Sequence, residues 1–459
     1  MIHINNVTVI KSGEKLFENL NLELEETNHY LITGPNGSGK TILLELIAGN
    51  IHAAAGEIQY DFIEGSNWEE RYWDRKQKVQ LIQTHAVEKL THLTGETYYQ
   101  QRYYSIENTI TTRVKDVLGE TIKDLDTQDF PPSMHIESLL EVEVNRLSNG
   151  QLKKVLLLQT LLKQKPKVLL LDYPFEGLDK ISRQELSHFI DFIATKYSIQ
   201  IILADHHHHL PAVINKRIDV NKFTIQQSEF VNHIPASVEI NPPQQTSSKP
   251  VVEMRNLKIQ YGDKVILENF NWTINEGERW ALLGKNGSGK TTVFSLIFAD
   301  HPIAYREEVY LFGKRRGTGE SIWDIKKRIT YLGPELISYL NPKNIAQSAI
   351  DYVRSLHPKG KEEKLIELLQ YFNAFTFMQK PVKVLSSGQL QLMMVISSFL
   401  EDKELLLLDE PFQFLDDEQK ERMSTYMQSH LDSKTTLVLI THYDNDIATW
   451  TSLRKEIKS

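Results

Sequence analysis

Short apolar runs recur along the chain, each ending in turn chemistry. "HYLITG" and "RWALLG" stop at glycine-rich turns, "KVLLLD" and "ELLLLD" stop at aspartate, and "IQIILAD" and "TTLVLIT" sit near the ends of the two halves. Runs this short and this apolar read as buried strands, and the helical stretches between them predict α/β layers around a mainly parallel sheet. No run approaches the roughly 20 apolar residues of a membrane helix, so the chain is not expected to cross a bilayer alone.

The pattern is written twice. "GPNGSGKT" begins at Gly34 and "GKNGSGKT" at Gly284; "LSNGQ" begins at Leu147 and "LSSGQ" at Leu385; "LLLDYPFEGLD" ends at Asp179 and "LLLDEPFQFLD" at Asp416. Ordered matches of this kind mark an internal duplication. Between the copies, residues 235–250 are rich in Pro, Ser and Gln and lack apolar period, which reads as a linker. The expected domains are therefore 1–234 and 251–459. A length of 459 residues supports two cores of ordinary size.

Composition narrows the setting. The chain has 41% hydrophobic and 24% charged residues and no cysteine, which excludes disulfides, thiolate metal ligands and thiol nucleophiles. Its start lacks the basic flank and apolar centre of a secretory signal, so a cytoplasmic location is expected. A formal charge of −8 gives no strong nucleic-acid signal, although Lys314, Arg315 and Arg316 could form a local basic patch.

Strand, G-x-x-x-x-G-K-[ST], helix is a phosphate loop. Its glycines let backbone N–H groups curl around phosphate oxygens, and the helix N-terminus favours the anion. The ATP-binding residues expected in the first copy are Gly34, Pro35, Asn36, Gly37, Ser38, Gly39, Lys40 and Thr41. In the second they are Gly284, Lys285, Asn286, Gly287, Ser288, Gly289, Lys290, Thr291 and Thr292. The lysines would hold the β and γ phosphates, and Thr41 and Thr291 would ligate Mg²⁺ with the strand-end carboxylates Asp172 and Asp409.

Phosphate loop, LS-x-GQ, strand-end Asp and a late His together resemble the ATP-binding cassette (ABC) ATPases over almost the whole chain. The resemblance implies two tandem P-loop NTPase domains, each a mainly parallel sheet with helices and a helical subdomain. It also implies that the signature residues Ser148, Asn149, Gly150, Gln151 and Ser386, Ser387, Gly388, Gln389 reach a nucleotide held by the opposite domain. The two cassettes would then pair head to tail within the chain. Site one would join Lys40, Thr41 and Asp172 to the second signature; site two would join Lys290, Thr291 and Asp409 to the first.

Carried over residue by residue, the family pattern is unequal. Site two has Glu410 at the general-base position, His442 at the γ-phosphate switch and Tyr261 for stacking on adenine. Site one has Tyr173 in place of the base and Lys11 in place of the aromatic, while His206 keeps the switch position. A positioned base is worth on the order of 10² to 10⁴ in rate, so site two is expected to do the chemistry. The glutamine loop falls on Gln83 in the first copy, or on Thr84 with a one-residue shift, and Gln83 would sense Mg²⁺. In the second copy Gly333, Pro334 or Glu335 takes its place. The run His206 to His209 invites a metal reading, but adjacent side chains on one turn do not converge on one ion.

The second half, through "DHPIAYREEVYLFGKRRGTGESIWDIKKRITYL", resembles the duplicated cassettes described as molybdate-type transport ATP-binding or photorepair proteins. That implies an ATPase serving a separate membrane subunit, peripheral at the inner face of the plasma membrane. Tyr98, Tyr99, Arg102, Tyr103 and Tyr104 are interface-type residues in the region where such subunits dock, and they read equally as the packing of a helical subdomain on itself. The rival is a soluble cassette ATPase acting on a ribosome, nucleic acid or regulatory partner.

Overall fold

The computed structural model describes residues 1–11, 14–83, 112–124, 130–131, 134–144, 147–205, 210–230, 248–261, 264–284, 287–333, 342–358, 362–432, 434–441 and 450–457. It divides into two compact units, Met1–Ile234 and Pro235–Ser459. In the first unit the strands are β1 (Ile2–Lys11), β2 (Glu14–Leu24), β3 (Tyr30–Thr33), β4 (Ala55–Tyr60), β5 (Val79–Ile82), β6 (Val168–Asp172), β7 (Gln200–Ala204), β8 (Lys216–Asn221) and β9 (Thr224–Glu229). In the second they are β10 (Pro250–Tyr261), β11 (Lys264–Asn275), β12 (Arg279–Leu283), β13 (Glu308–Leu311), β14 (Lys314–Arg315), β15 (Ile329–Leu332), β16 (Leu405–Asp409), β17 (Thr436–Ile440) and β18 (Leu453–Glu456).

Among the described residues each unit holds two sheets. The larger runs β5-β6-β7-β3-β8-β9 in the first unit and β15-β16-β17-β12-β18 in the second. All its pairings are parallel except β8 with β9. The smaller, β2-β1-β4 and β11-β10-β13-β14, is antiparallel. The expected parallel sheets are present. In the antiparallel ones burial alternates on either side of a bulge: Ile2 and Ile4, then Val7 and Val9, are buried between more exposed neighbours.

The leucine-rich strands are buried on both faces, as parallel central strands are. In β6, Val168 and Leu170 pack with the helix Lys40–Ile47 and the antiparallel sheet. Leu169 and Leu171 pack against the helices Asn149–Gln164 and Lys180–Tyr197. The second unit repeats this: Leu405 and Leu407 face the helix Lys290–Ile297, while Leu406 and Leu408 face the helices Ser387–Phe399 and Asp417–His430. A helical subdomain accompanies each, with Ala349–Leu356, Glu362–Tyr371 and Phe375–Met378 in the second unit and Val114–Leu118 and Ile136–Leu140 in the first.

One surface expectation is corrected. Arg316 is 2% exposed, its guanidinium 5.0 Å from the Tyr305 ring centroid and donating to Tyr305 Oη at 3.1 Å, so it does not join Lys314 and Arg315 in an exposed basic patch. Residues 84–111, which include the tyrosine-rich segment, and 231–247 of the linker region lie outside the described residues.

Because each unit encloses its own apolar clusters, residues 1–234 and 251–459 are expected to fold when expressed separately. Leu170→Ala then lowers the unfolding free energy of the first fragment by about 2–5 kcal/mol in denaturant titration, with no effect on the second.

Candidate functional site

The phosphate loops sit where β3 and β12 leave the sheet at its C-terminal edge, the usual ligand edge of parallel α/β sheets. Gly34 has φ 141°, and a Cβ there would lie 2.0 Å from the Val220 carbonyl oxygen, so only glycine fits. Gly39 and Gly289, at φ 111° and 99°, turn the chain directly into the helices that begin at Lys40 and Lys290. The first N–H groups of an α-helix have no partner within the helix, which makes such starts anion-facing ends.

Both lysines are nearly covered and folded over their loops. Lys40 Nζ donates to the carbonyls of Gly34 at 2.7 Å and Pro35 at 2.8 Å; Lys290 Nζ donates to Gly284 at 2.7 Å. Next to them, Thr41 Oγ1 donates to both carboxylate oxygens of Asp172 at 3.1 Å, and Thr291 Oγ1 donates to Asp409 Oδ2 at 3.4 Å. Asn36, Gly37, Ser38, Gly287, Ser288 and Thr292 complete the loops and helix starts, while Lys285 and Asn286 lie outside the described residues.

Burial pushes the Asp172 carboxyl up to about 6; the Thr41 hydroxyl and the Lys40 ammonium pull it down, Glu45 and Asp205 push it further up. A hydroxyl beside a dehydrated carboxylate is a hard-oxygen donor pair of the kind Mg²⁺ takes. The residues present fit that ion.

The residues after the aspartates share one backbone geometry. Tyr173 and Glu410 both have φ 50°, in the left-handed region that non-glycine residues avoid. Their N–H groups donate to Ala204 at 2.9 Å and Ile440 at 2.8 Å, the last residues of β7 and β17. The two turns therefore differ in side chain, not in path. The Tyr173 ring centroid lies 5.9 Å from Lys40 Nζ, within cation–π range.

Sequence reasoning missed the residue beneath this turn. Lys153 Nζ donates to the carbonyls of Pro174 and Glu176, both at 2.7 Å. Burial lowers its amine to about 8, against the raising effect of Glu176 and Asp205. In the second unit Gln391 stands there and donates to the Pro411 carbonyl at 3.0 Å. The available signal was the position itself, two residues after each "GQ".

The signature serines begin helices. Ser148 Oγ accepts the Gln151 N–H at 3.2 Å while the Ser148 N–H donates to Gln151 Oε1 at 2.9 Å; Ser386 and Gln389 repeat this at 3.3 and 3.2 Å. These are capping boxes, so both Ser and Gln have a local role in addition to any ligand role. Gly150 packs closely, since a Cβ would lie 3.0 Å from Ser182 Cβ. Asn149, Ser387 and Gly388 fall in the same first turns.

Gln83 follows β5 and its Nε2 donates to Glu45 Oε1 at 3.1 Å, on the helix that begins with Lys40. Gly333 follows β15 in the same way. Thr84, Pro334 and Glu335 lie outside the described residues, as do His206, the histidine run and His442. Lys11 and Tyr261 end the equivalent strands β1 and β10, and their side chains are outside the description.

Two phosphate loops, each joined through a threonine to a buried strand-end aspartate and each followed by a serine-capped helix, define a tandem P-loop nucleotide-binding protein. The model of the family described as ABC transporter matches residues 17–176 and 267–413, and the chain belongs to that family. It is 29% identical over 98% of its length to an ABC transporter ATP-binding protein of Schizosaccharomyces pombe, of which it covers 96%. It is 26% identical over 95% of its length to the ABC transporter ATP-binding protein ModF of Escherichia coli, covering 92% of that chain. Among solved structures it resembles the archaeal ribosome recycling factor aABCE1 in complex with the ribosomal stalk protein aP1, with a TM-score of 0.60 and 17% identity. That match covers 98% of this chain and 86% of the other. The RNase-L inhibitor gives a TM-score of 0.60 at 16% identity, covering 97% and 87%. At such identities the structural likeness concerns the fold. Among the described residues, no helix is long and apolar enough to cross a membrane.

The buried aspartate gives a prediction with a definite sign. Because burial raises Asp172 from 3.8 to about 6, the folded chain holds this proton more tightly than the unfolded one, and stability is lost as pH rises through that window. Asp172→Asn, without nucleotide or metal, therefore raises the unfolding free energy by about 1–3 kcal/mol at pH 7, with the gain shrinking below pH 6. Thermal unfolding across pH 5 to 8 measures it.

Proposed function

We propose that the chain is an ATPase with two unequal nucleotide sites, formed head to tail between its cassettes, that hydrolyses mainly at the site of the second phosphate loop. The observation that carries this reading is the exchange of Glu410 for Tyr173 on turns of the same backbone geometry.

At site two, Lys290 would exchange its bond to Gly284 for phosphate oxygens, and Thr291 with Asp409 would hold the Mg²⁺ whose charge offsets that of the phosphates. Glu410 would take the proton of the attacking water, with His442 at the γ phosphate, Ser148 and Gly150 closing the site from the other cassette, and Tyr261 under adenine. At site one, Lys40, Thr41, Asp172, Gln83 and His206 would serve the same nucleotide with Ser386 and Gly388, but the Tyr173 phenol is no base at neutral pH. ATP there acts as a lasting bridge between cassettes, and turnover at site two sets the cycle.

Work on a separate membrane subunit is the use favoured by the names of the sequence relatives, both called transporter ATP-binding proteins. A soluble role is favoured by the two-cassette likeness to a ribosome recycling factor, which spans nearly the whole chain. Trapped Glu410→Gln protein used as bait separates the two: membrane protein recovered from detergent extracts supports transport, and ribosomes or RNA support the alternative.

Glu410→Gln is expected to lower steady-state ATP hydrolysis by about 100-fold or more, and Tyr173→Phe by less than about twofold. Colorimetric phosphate release measures both. A larger loss from Tyr173→Phe would reverse the assignment of the sites.

A further inference from the structure

The site proposed to hydrolyse ATP lacks the glutamine that follows β5 in the first unit, and Gly333 stands in its place. The reason for glycine is local. A Cβ on Gly333 would lie 2.7 Å from Tyr331 Oη, 2.9 Å from Tyr331 Cζ and 3.1 Å from Tyr331 Cε2. No left-handed φ accompanies this glycine, so what a side chain there would meet is the phenol tip of Tyr331 and not a backbone restriction. The phenol tip of Tyr331 fills the space in which a side chain at position 333 would begin.

Where that tip lies follows from strand register. Tyr331 pairs with Leu407 and Leu332 with Leu408 across β15 and β16, so Gly333 is level with Asp409. Alternation puts Ile329 and Tyr331 on the face of the sheet that carries Leu405 and Leu407. The Tyr331 ring lies against Phe294 of the helix that begins with Lys290 and Thr291 and against Phe298 at its C-cap, at centroid distances of 6.2 and 5.2 Å. Asp409 accepts from Thr291 on that same side. Adjacent strands are about 4.8 Å apart, so the Tyr331 hydroxyl stands one strand from the Thr291–Asp409 pair and at its level. In the first unit Leu81 and Gln83 occupy these positions; Gln83 lines one pocket with Asp172, and its amide donates to Glu45. The two units thus pair these positions differently, leucine with glutamine in the first and tyrosine with glycine in the second.

We propose that Tyr331 is the positioning residue of site two, its hydroxyl supplying beside Thr291 and Asp409 the hydrogen-bonding group that Gln83 supplies in the first unit, so that water is oriented for Glu410. This rests on site two being the hydrolytic one. A phenol both donates and accepts, as an amide does, and can orient a water within one bond of the ion site. It forms no covalent bond and takes no proton in the reaction.

The test compares steady-state ATP hydrolysis of the full chain with that of Glu410→Gln, Tyr331→Phe, Tyr331→Leu and Tyr331→Leu with Gly333→Gln. Tyr331→Phe keeps the ring on Phe294 and Phe298, and it is expected to lower kcat about 10-fold or more with KM for ATP within about twofold, and to raise the Mg²⁺ concentration for half-maximal rate. Tyr331→Leu loses at least as much. The exchange of both residues, which builds the first unit's pair into the second, returns kcat to within about threefold of wild type. Wild-type kcat and Mg²⁺ dependence in Tyr331→Phe, alongside inactive Glu410→Gln, overturns the role of Tyr331 and leaves the hydrolytic site where it is. A double exchange no more active than Tyr331→Leu overturns the equivalence with Gln83. Wild-type turnover in Glu410→Gln overturns the reading of site two itself.

Discussion

Asp172 and Asp409 end strands whose other residues are fully covered, and they are themselves only 7% and 6% exposed. A carboxylate taken out of water needs donors or a cation, and in both units the threonine that follows the phosphate-loop lysine donates to it. That single contact ties the loop to the central strand and fixes the start of the adjoining helix. The lysine beside it rests on loop carbonyls, which are neutral acceptors that a phosphate can displace at little cost. The site is thus assembled before ligand arrives, and burial leaves one of its carboxyls, Asp172, pushed up to about 6. A divalent ion would remove that cost.

What the two units keep is backbone. The φ of 50° after each aspartate, its hydrogen bond to the next strand and the serine-glutamine caps recur in both. What they change is side chains around that frame, and the changes come in matched sets. Gln83 goes with Leu81 and Gly333 with Tyr331; Lys153 goes with Tyr173 and Gln391 with Glu410. Frame conservation with side-chain exchange is how one fold carries different chemistry.

The glycine loops and strand-end aspartates were legible in the sequence because their geometry admits few residue types, as the 2.0 Å approach of Val220 to Gly34 illustrates. The parallel sheets were legible from apolar runs. The antiparallel sheets were not, since alternation in β1 and β10 is broken by bulges between Ile4 and Val7 and between Met254 and Leu257. Arg316 looked exposed because nothing local shows that Tyr305, eleven positions upstream, would cover it. Lys153 was opaque for a similar reason: its acceptors are carbonyls some twenty residues away, and carbonyls leave no mark on a sequence. Tyr331 was hidden by an absence, a glycine that reads as a lost glutamine until the volume it yields is seen to be filled.

The inequality of the two turns therefore goes deeper than one missing carboxylate. Lys153 lines the same pocket as Asp172, Tyr173 and Gln83, and its ammonium is held by carbonyls in a place where burial already lowers it to about 8. A carboxylate placed at 173 would share that pocket with the cation, whose charge favours the ionised form and lowers its strength as a base. Glu410 has the neutral amide of Gln391 at the corresponding place, bonded to the Pro411 carbonyl. A general base needs a proton affinity high enough to accept from water, and a neutral neighbour preserves it where an ammonium does not. The proposed inequality of the two sites thus has an electrostatic side that extends beyond the identity of residue 173.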